Sequence, residues 1–226
     1  VMYTSGQLAS NDNSAKKITK TQSMEREAYE TLRTRVDTFF RDVETRRQND
    51  LQCRSGCTSC CHVELTLSPL EASVLGEFLS TMEPEARNAL RLRARSREES
   101  ANEADAPCVM LEEDGRCAVY AARPLVCRSQ GLALSYPSEA ETPKDPEAAP
   151  DTQEPPEKAA RTLPIYHCGL NFRDAPPEGR DILNGERIDT IHATLNQHWC
   201  ATQGRDPLDR TAIRTLAAND DLDTRA

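Results

Sequence analysis

From Met24 to about Asn49 apolar residues recur at three- and four-residue steps, with Ala28, Leu32, Val36, Phe39 and Val43 on one stripe. That period predicts an amphipathic helix over 24–49 with one face turned to a core. Ser68-Pro69-Leu70-Glu71 predicts the start of a second, over 68–81. Ser68 is its N-cap, Pro69 suits the first helical position, and Glu71 completes a capping box. Leu70, Val74, Leu75, Phe78 and Leu79 form its buried face. Pro84 opens a third helix over 84–99, with Ala86, Leu90 and Ala94 inward and Arg87, Arg91, Arg93, Arg95 and Arg97 on a solvated face. A fourth is predicted over 186–202 on Ile188, Ile191, Leu195 and Trp199, and Asp206-Pro207 begins a short last one with Leu208, Ile213 and Leu216. Asp114-Gly115 is a tight-turn signal. The pattern therefore predicts a mainly α fold with at most a short β-hairpin.

Polar segments divide the chain. Residues 1–20 read as a flexible N-terminal tail, and 137–160, rich in Pro, Glu, Asp and Ala, as a mobile acidic insertion. Residues 21–202 are then one domain containing that insertion, and 203–226 a short helix and tail. Hydrophobic residues make up 37% of the 226 and aromatics 4%, so the core is modest. The 28 basic and 37 acidic residues leave a charge of −9, which gives no help in approaching nucleic acid or anionic membranes. No stretch has the roughly 20 apolar residues of a membrane span. The first 21 residues lack the apolar segment of a secretory signal, so a cytoplasmic location is expected.

Nine cysteines change the picture. In a reducing compartment, clustered cysteines bind metal or do redox work more often than they form structural disulfides. Cys53, Cys57, Cys60 and Cys61 fall within nine residues. Gly56 lets the backbone bend among them, and Cys57 and Cys60 have the spacing of zinc and iron–sulfur knuckles. In an extended segment Cys60 and Cys61 point to opposite sides. Sharing one metal requires a local bend; otherwise they serve two centres, or one thiol is held back. Cys108, Cys117, Cys127 and Cys168 bring the number of candidate ligands to eight, enough for two four-thiolate sites. If Asp114-Gly115 is a two-residue turn, Cys117 faces Glu112. Cys108 then lies about 13 Å along the ladder, too far to share a metal unless the strand breaks at Pro107. Arg116, Arg123 and Arg128 stand near enough in sequence to offset thiolate charge. Cys200, beside Trp199, reads as a buried hydrophobe. His62 and His167 adjoin cysteines and are expected beside the site rather than in it.

Cys53-x3-Cys57-x2-Cys60-Cys61 resembles the signature of the YkgJ-type cysteine-cluster family of zinc- or iron-chelating proteins. Pro107-Cys108 to Leu111, Gly115-Arg-Cys117 to Tyr120, and Arg123-Pro124-Leu-Val-Cys127-Arg128 are similar to its second block. Leu65 to Leu79, with Glu71, resembles the helix between them. The resemblance implies metal ligation by Cys53, Cys57, Cys60, Cys61, Cys108, Cys117, Cys127 and Cys168. A related cysteine pattern occurs in flagellin lysine methylases, so the module can accompany enzymatic activity.

Phosphate-loop, HExxH and GxSxG signatures are absent. The function expected is metal binding by a small irregular helical domain, with an iron–sulfur cluster ahead of zinc. The alternatives are a metal-dependent enzyme, either an oxidoreductase or a methyl-transfer system, and a metal storage or delivery protein.

Overall fold

The computed structural model describes residues 10–54, 56–99, 106–137 and 163–219. The acidic insertion at 137–160, apart from Pro137, lies outside them, as do residues 1–9 of the expected tail. The fold is mainly α. Helix α1 (Ser10–Arg46) leads, followed by strand β1 (Thr66–Leu67), α2 (Pro69–Ser80) and α3 (Pro84–Glu99). Then come a short α4 (Leu125–Ser129), β2 (Ala133–Ser135), β3 (Ile165–Tyr166), β4 (Ile182–Asn184), α5 (Gly185–Gln203), β5 (Thr211–Ala212) and α6 (Ile213–Ala218). The predicted starts and stops of α2, α3 and α5 hold to within a residue or two. Helix α1 starts earlier than its apolar stripe and stops at Arg46, where Asp50 N–H and Leu51 N–H both turn back to Arg47 O.

Two apolar cores meet along α2. Leu70 and Val74 pack with Tyr29, Leu32, Val36 and Val43 of α1 and with Trp199 and Cys200 of α5. Ala72, Leu75 and Leu79 pack with Leu90 and Ala94 of α3, Val109, Met110 and Val119 of the connecting loops, and Ile213 and Ala217 of α6. Apolar on both faces, α2 is a central rather than a surface helix. Two small sheets tie the ends together. Strands β1 and β5 pair antiparallel, whereas β2 pairs antiparallel with β3 and parallel with β4.

Three expectations need correction. The arginine-rich face of α3 is not simply solvated. Arg87 is buried and donates to the carbonyls of Leu216, Ala217 and Asn219 at the end of α6, satisfying acceptors that a helix C-terminus leaves open. Arg93 donates to Val109 O and Leu111 O, and Arg97 to Pro107 O. On α5, Ile191 is exposed, and buried Asn196 instead links Leu70 N–H to Pro207 O. The last helix begins at Ile213 rather than at Asp206-Pro207, because β5 intervenes and pairs with β1. Among the described residues no helix is long and apolar enough to cross a membrane.

Candidate metal centre

The first cysteine block is two consecutive turns. Cys57 N–H donates to Arg54 O at 2.9 Å and Cys61 N–H to Thr58 O at 2.8 Å. The second turn is the local bend that brings the adjacent Cys60 and Cys61 thiols within each other's influence. Cys108 N–H donates to Cys61 O at 2.6 Å, which splices the second block onto the first.

The hairpin carrying Cys117 has a different register from the expected one. Leu111, not Glu112, is opposite Cys117. Gly115 N–H returns to Glu112 O and Glu112 N–H to Arg116 O, so the loop has three residues with Gly115 at φ +80° in the left-handed position. On the other arm Leu111 N–H closes a turn onto Cys108 O at 2.9 Å. The extended strand assumed above does not exist, and Cys108 is folded back toward Cys117.

All nine cysteines are free thiols, with Cys200 buried in the first core as expected. The charges of the other eight couple in two overlapping sets. Cys61 is raised by burial and then by the Cys108 and Cys117 sulfurs, although the Cys60 hydrogen bond and Arg123 oppose this. Burial first, and then Cys108, Cys117 and Cys60, push Cys127 up to about 12 against the opposing charge of Arg123. Cys60, Cys61, Cys108, Cys117 and Cys127 thus form one electrostatically coupled set. Cys53 belongs to the other. Burial raises it, a hydrogen bond from Asn171 lowers it, and the Cys57, Cys168 and Cys60 sulfurs raise it further. Cys60, pushed up to about 11 chiefly by burial and then by Cys61, is counted in both groups. Among the described residues no group of three or more His, Cys, Asp or Glu side chains is placed so that it could hold a metal ion.

Burial and mutual repulsion both disfavour thiolates here, so the charged form needs a cation. The donor set fits one: eight soft sulfurs suit zinc, iron–sulfur clusters or copper(I). Arg123 adds an independent sign. Its guanidinium lies 3.7 Å from the Tyr120 ring centroid beside the five-thiol group, and its buried Nε has no hydrogen-bond partner among the described residues. A buried cationic nitrogen without a partner, on a side chain whose charge acts on Cys117 and Cys127, is suited to charge that appears once those thiols ionise. Arg128, the other arginine expected to balance thiolates, instead joins Asp37 and the carbonyls of Ala121 and Arg123. Arg116 pairs with Asp114 at the surface.

Asn171 carried no recognised sequence signal. It is buried, and its amide donates to Cys53 Sγ at 3.2 Å and to Gly131 O at 2.7 Å, while its oxygen accepts from Gln52 N–H at 2.8 Å. Gly131, at φ +91°, lets the chain pass Cys53 closely, and a Cβ there would overlap the sulfur. The only available hint was the short Cys168-Gly-Leu-Asn171 spacing. His167 stacks edge-on against Phe172 and contacts Cys168 O through Nδ1. His192 lies away from the thiols, in a buried network with Ser68 and Glu71.

The cysteine blocks are held in a small helical frame. Residues 52–150 match the CxxCxxCC family model, described as "Putative zinc- or iron-chelating domain". This is the cysteine-cluster family that the motif blocks resemble. Cys168 lies beyond the matched residues. No curated protein and no solved structure matches the chain.

Proposed function

We propose that the eight thiols Cys53, Cys57, Cys60, Cys61, Cys108, Cys117, Cys127 and Cys168 hold a polynuclear iron–sulfur centre or a linked pair of centres. What supports this is the number of candidate sulfurs, eight where a single tetrahedral ion uses four, and the Cys108 N–H to Cys61 O bond that splices the two cysteine blocks together. Cys60, coupled to both sets, would join them. The residues supply soft ligands and counter-charge; a bound cluster would supply redox or Lewis-acid chemistry. Thiols of this density need a reducing compartment, for which the cytoplasm is the natural choice, and a charge of −9 disfavours nucleic-acid partners.

The reading is tested by anaerobic purification with iron, zinc and acid-labile sulfide measured per chain. Iron with sulfide and broad absorption near ~400 nm is the expected outcome. A colourless protein with stoichiometric zinc would replace iron–sulfur with zinc in the same thiol set. Loosely held ions in variable number would point to storage or delivery.

A further inference from the structure

A cavity of about 720 Å³ opens between residues 49–57 on one wall and 170–174 on the other. Its volume lies within the roughly 300–1,000 Å³ range of small-molecule sites. Two hydrogen bonds fix the walls to each other. Phe172 N–H donates to Asp50 O at 2.8 Å, and Gln52 N–H to Asn171 Oδ1 at 2.8 Å. Phe172 sits at φ +55°, a left-handed conformation that a bulky side chain rarely adopts. Its ring is buried in the first core, so packing holds the strained backbone in place. The next two residues, Arg173 and Asp174, are those that line the cavity.

The walls carry charge of both signs. Arg54 and Arg173 bring two guanidinium forks, whose planar donors match a carboxylate. Arg173 Nε donates to Gly169 O at 3.0 Å, which orients its fork. Asp50 is engaged by Arg47 at 3.3 Å. Arg54, Arg173 and Asp174, by contrast, form no ion pair among the described residues. Two cations and one anion suit a ligand with carboxylates and an ammonium group, as amino acids and short peptides have. One cysteine, Cys57, lines the same cavity as a free, half-buried thiol. Its N–H bonds to Arg54 O at 2.9 Å, so this thiol and one of the guanidinium groups belong to a single turn.

We propose that this cavity binds a low-molecular-weight disulfide of amino-acid or short-peptide type, and that Cys57 is its point of covalent attachment. Arg54 and Arg173 take the ligand's carboxylates and Asp174 its ammonium group. The Cys57 thiol gives its proton to water, and its sulfur attacks one sulfur of the ligand. The ligand's S–S bond breaks, a Cys57–S–S–R bond forms, and the other half leaves as a thiolate that takes up a proton. The disulfide oxidation level passes from the departing sulfur to that of Cys57, with no net change in electrons, and a free thiol reverses the step. The proposal stands whether or not the chain holds metal.

The test uses the full reduced chain, with glutathione disulfide as the probe and hydroxyethyl disulfide as its uncharged counterpart. Metal per chain is counted, and the run is repeated after chelation. Mass spectrometry of trapped samples locates the added group. In at least one of the two runs glutathione disulfide is expected to modify Cys57 first, at a rate that saturates with its concentration. A chain of charge −9 repels this anionic probe, so faster reaction than with the uncharged disulfide at Cys57 requires local recognition. The double variant Arg54→Ala/Arg173→Ala is expected to slow the reaction of Cys57 with glutathione disulfide at least about ten-fold and to leave its reaction with hydroxyethyl disulfide unchanged. Adducts spread evenly over the cysteines in both runs, or equal Cys57 rates in the parent and the double variant, overturn the proposal. A chain that holds no metal but shows the Cys57 preference overturns the metal-binding reading and supports this one.

Discussion

Asn171 shows how much one side chain can organise. Its three hydrogen bonds tie the Cys53 sulfur, the backbone before it and Gly131 into one unit. Asn171→Leu keeps the volume but leaves the Gln52 N–H and the Gly131 carbonyl unpaired, each with a desolvation penalty of about 1–3 kcal/mol. A loss of that order in urea unfolding is expected, together with a shifted absorption band in the metal-loaded protein because the N–H···S bond is gone. Asp181 gives a pH signature. It is fully buried and receives Arg46 Nε at 3.2 Å and Arg47 Nε at 2.7 Å. Burial alone would raise its carboxyl, but hydrogen bonds from Arg47, the Glu178 backbone and Arg46 outweigh it and hold the value below normal. The folded carboxyl therefore ionises at lower pH than in the unfolded chain. Its stabilisation is present above the unfolded value of about 4 and disappears as pH falls through the folded one. In metal-free protein, Asp181→Asn should lower Tm at pH 7, and the gap to the parent should narrow below about pH 4. A gap that stays constant with pH would contradict the assignment.

At the scale of elements, Glu71 is the joint. Its carboxylate accepts from Tyr29 Oη of α1 at 2.9 Å and from Leu125 N–H of α4 at 3.1 Å, and it lies 3.7 Å from His192 of α5. Burial, followed by the Glu71 charge, drives the Tyr29 phenol well above its ordinary range. Tyr29→Phe removes one hydrogen bond to a buried charge, and a cost of about 1.5–3 kcal/mol is expected by chemical denaturation. The helices themselves were legible because their caps and periods are local. Ser68 accepts Glu71 N–H as the capping box predicts, and Leu70, Val74, Leu75 and Leu79 are all buried. What was not legible depends on distant partners. Arg87 has the same local context as its neighbours on α3, and only the return of α6 makes it a buried cap. The hairpin register turned on a three-residue loop that Asp114-Gly115 alone does not distinguish from a two-residue one. The eight thiols were named from spacing, but the turn that folds Cys108 back and the place of Asn171 required the folded chain.

For the whole molecule, two cores of limited size meet along one helix, and the thiol groups lie beside them: Cys108 and Cys117 against the second, and Cys53, through Asn171, beside Phe172 of the first. A bound metal would therefore act as a third source of cohesion. Removing it with a strong chelator, or replacing both Cys57 and Cys60 by serine, should cost several kcal/mol. At about 2–4 °C per kcal/mol for a chain of this size, that is a fall in Tm of roughly 10 °C. Calorimetry before and after verified metal loss reads it directly, and unchanged melting would argue against a stabilising metal. The contact between Cys108 N–H and Cys61 O has a further consequence. The first cysteine block leaves the ribosome well before the second, and only the excursion through α2 and α3 brings the two together. Until then the growing chain carries half of the proposed ligand set, open to whatever thiophilic ion is at hand. On the metal-binding reading, the order of cysteines along the chain is also a timetable for metallation, with loading of the correct metal waiting until helical folding has delivered Cys108.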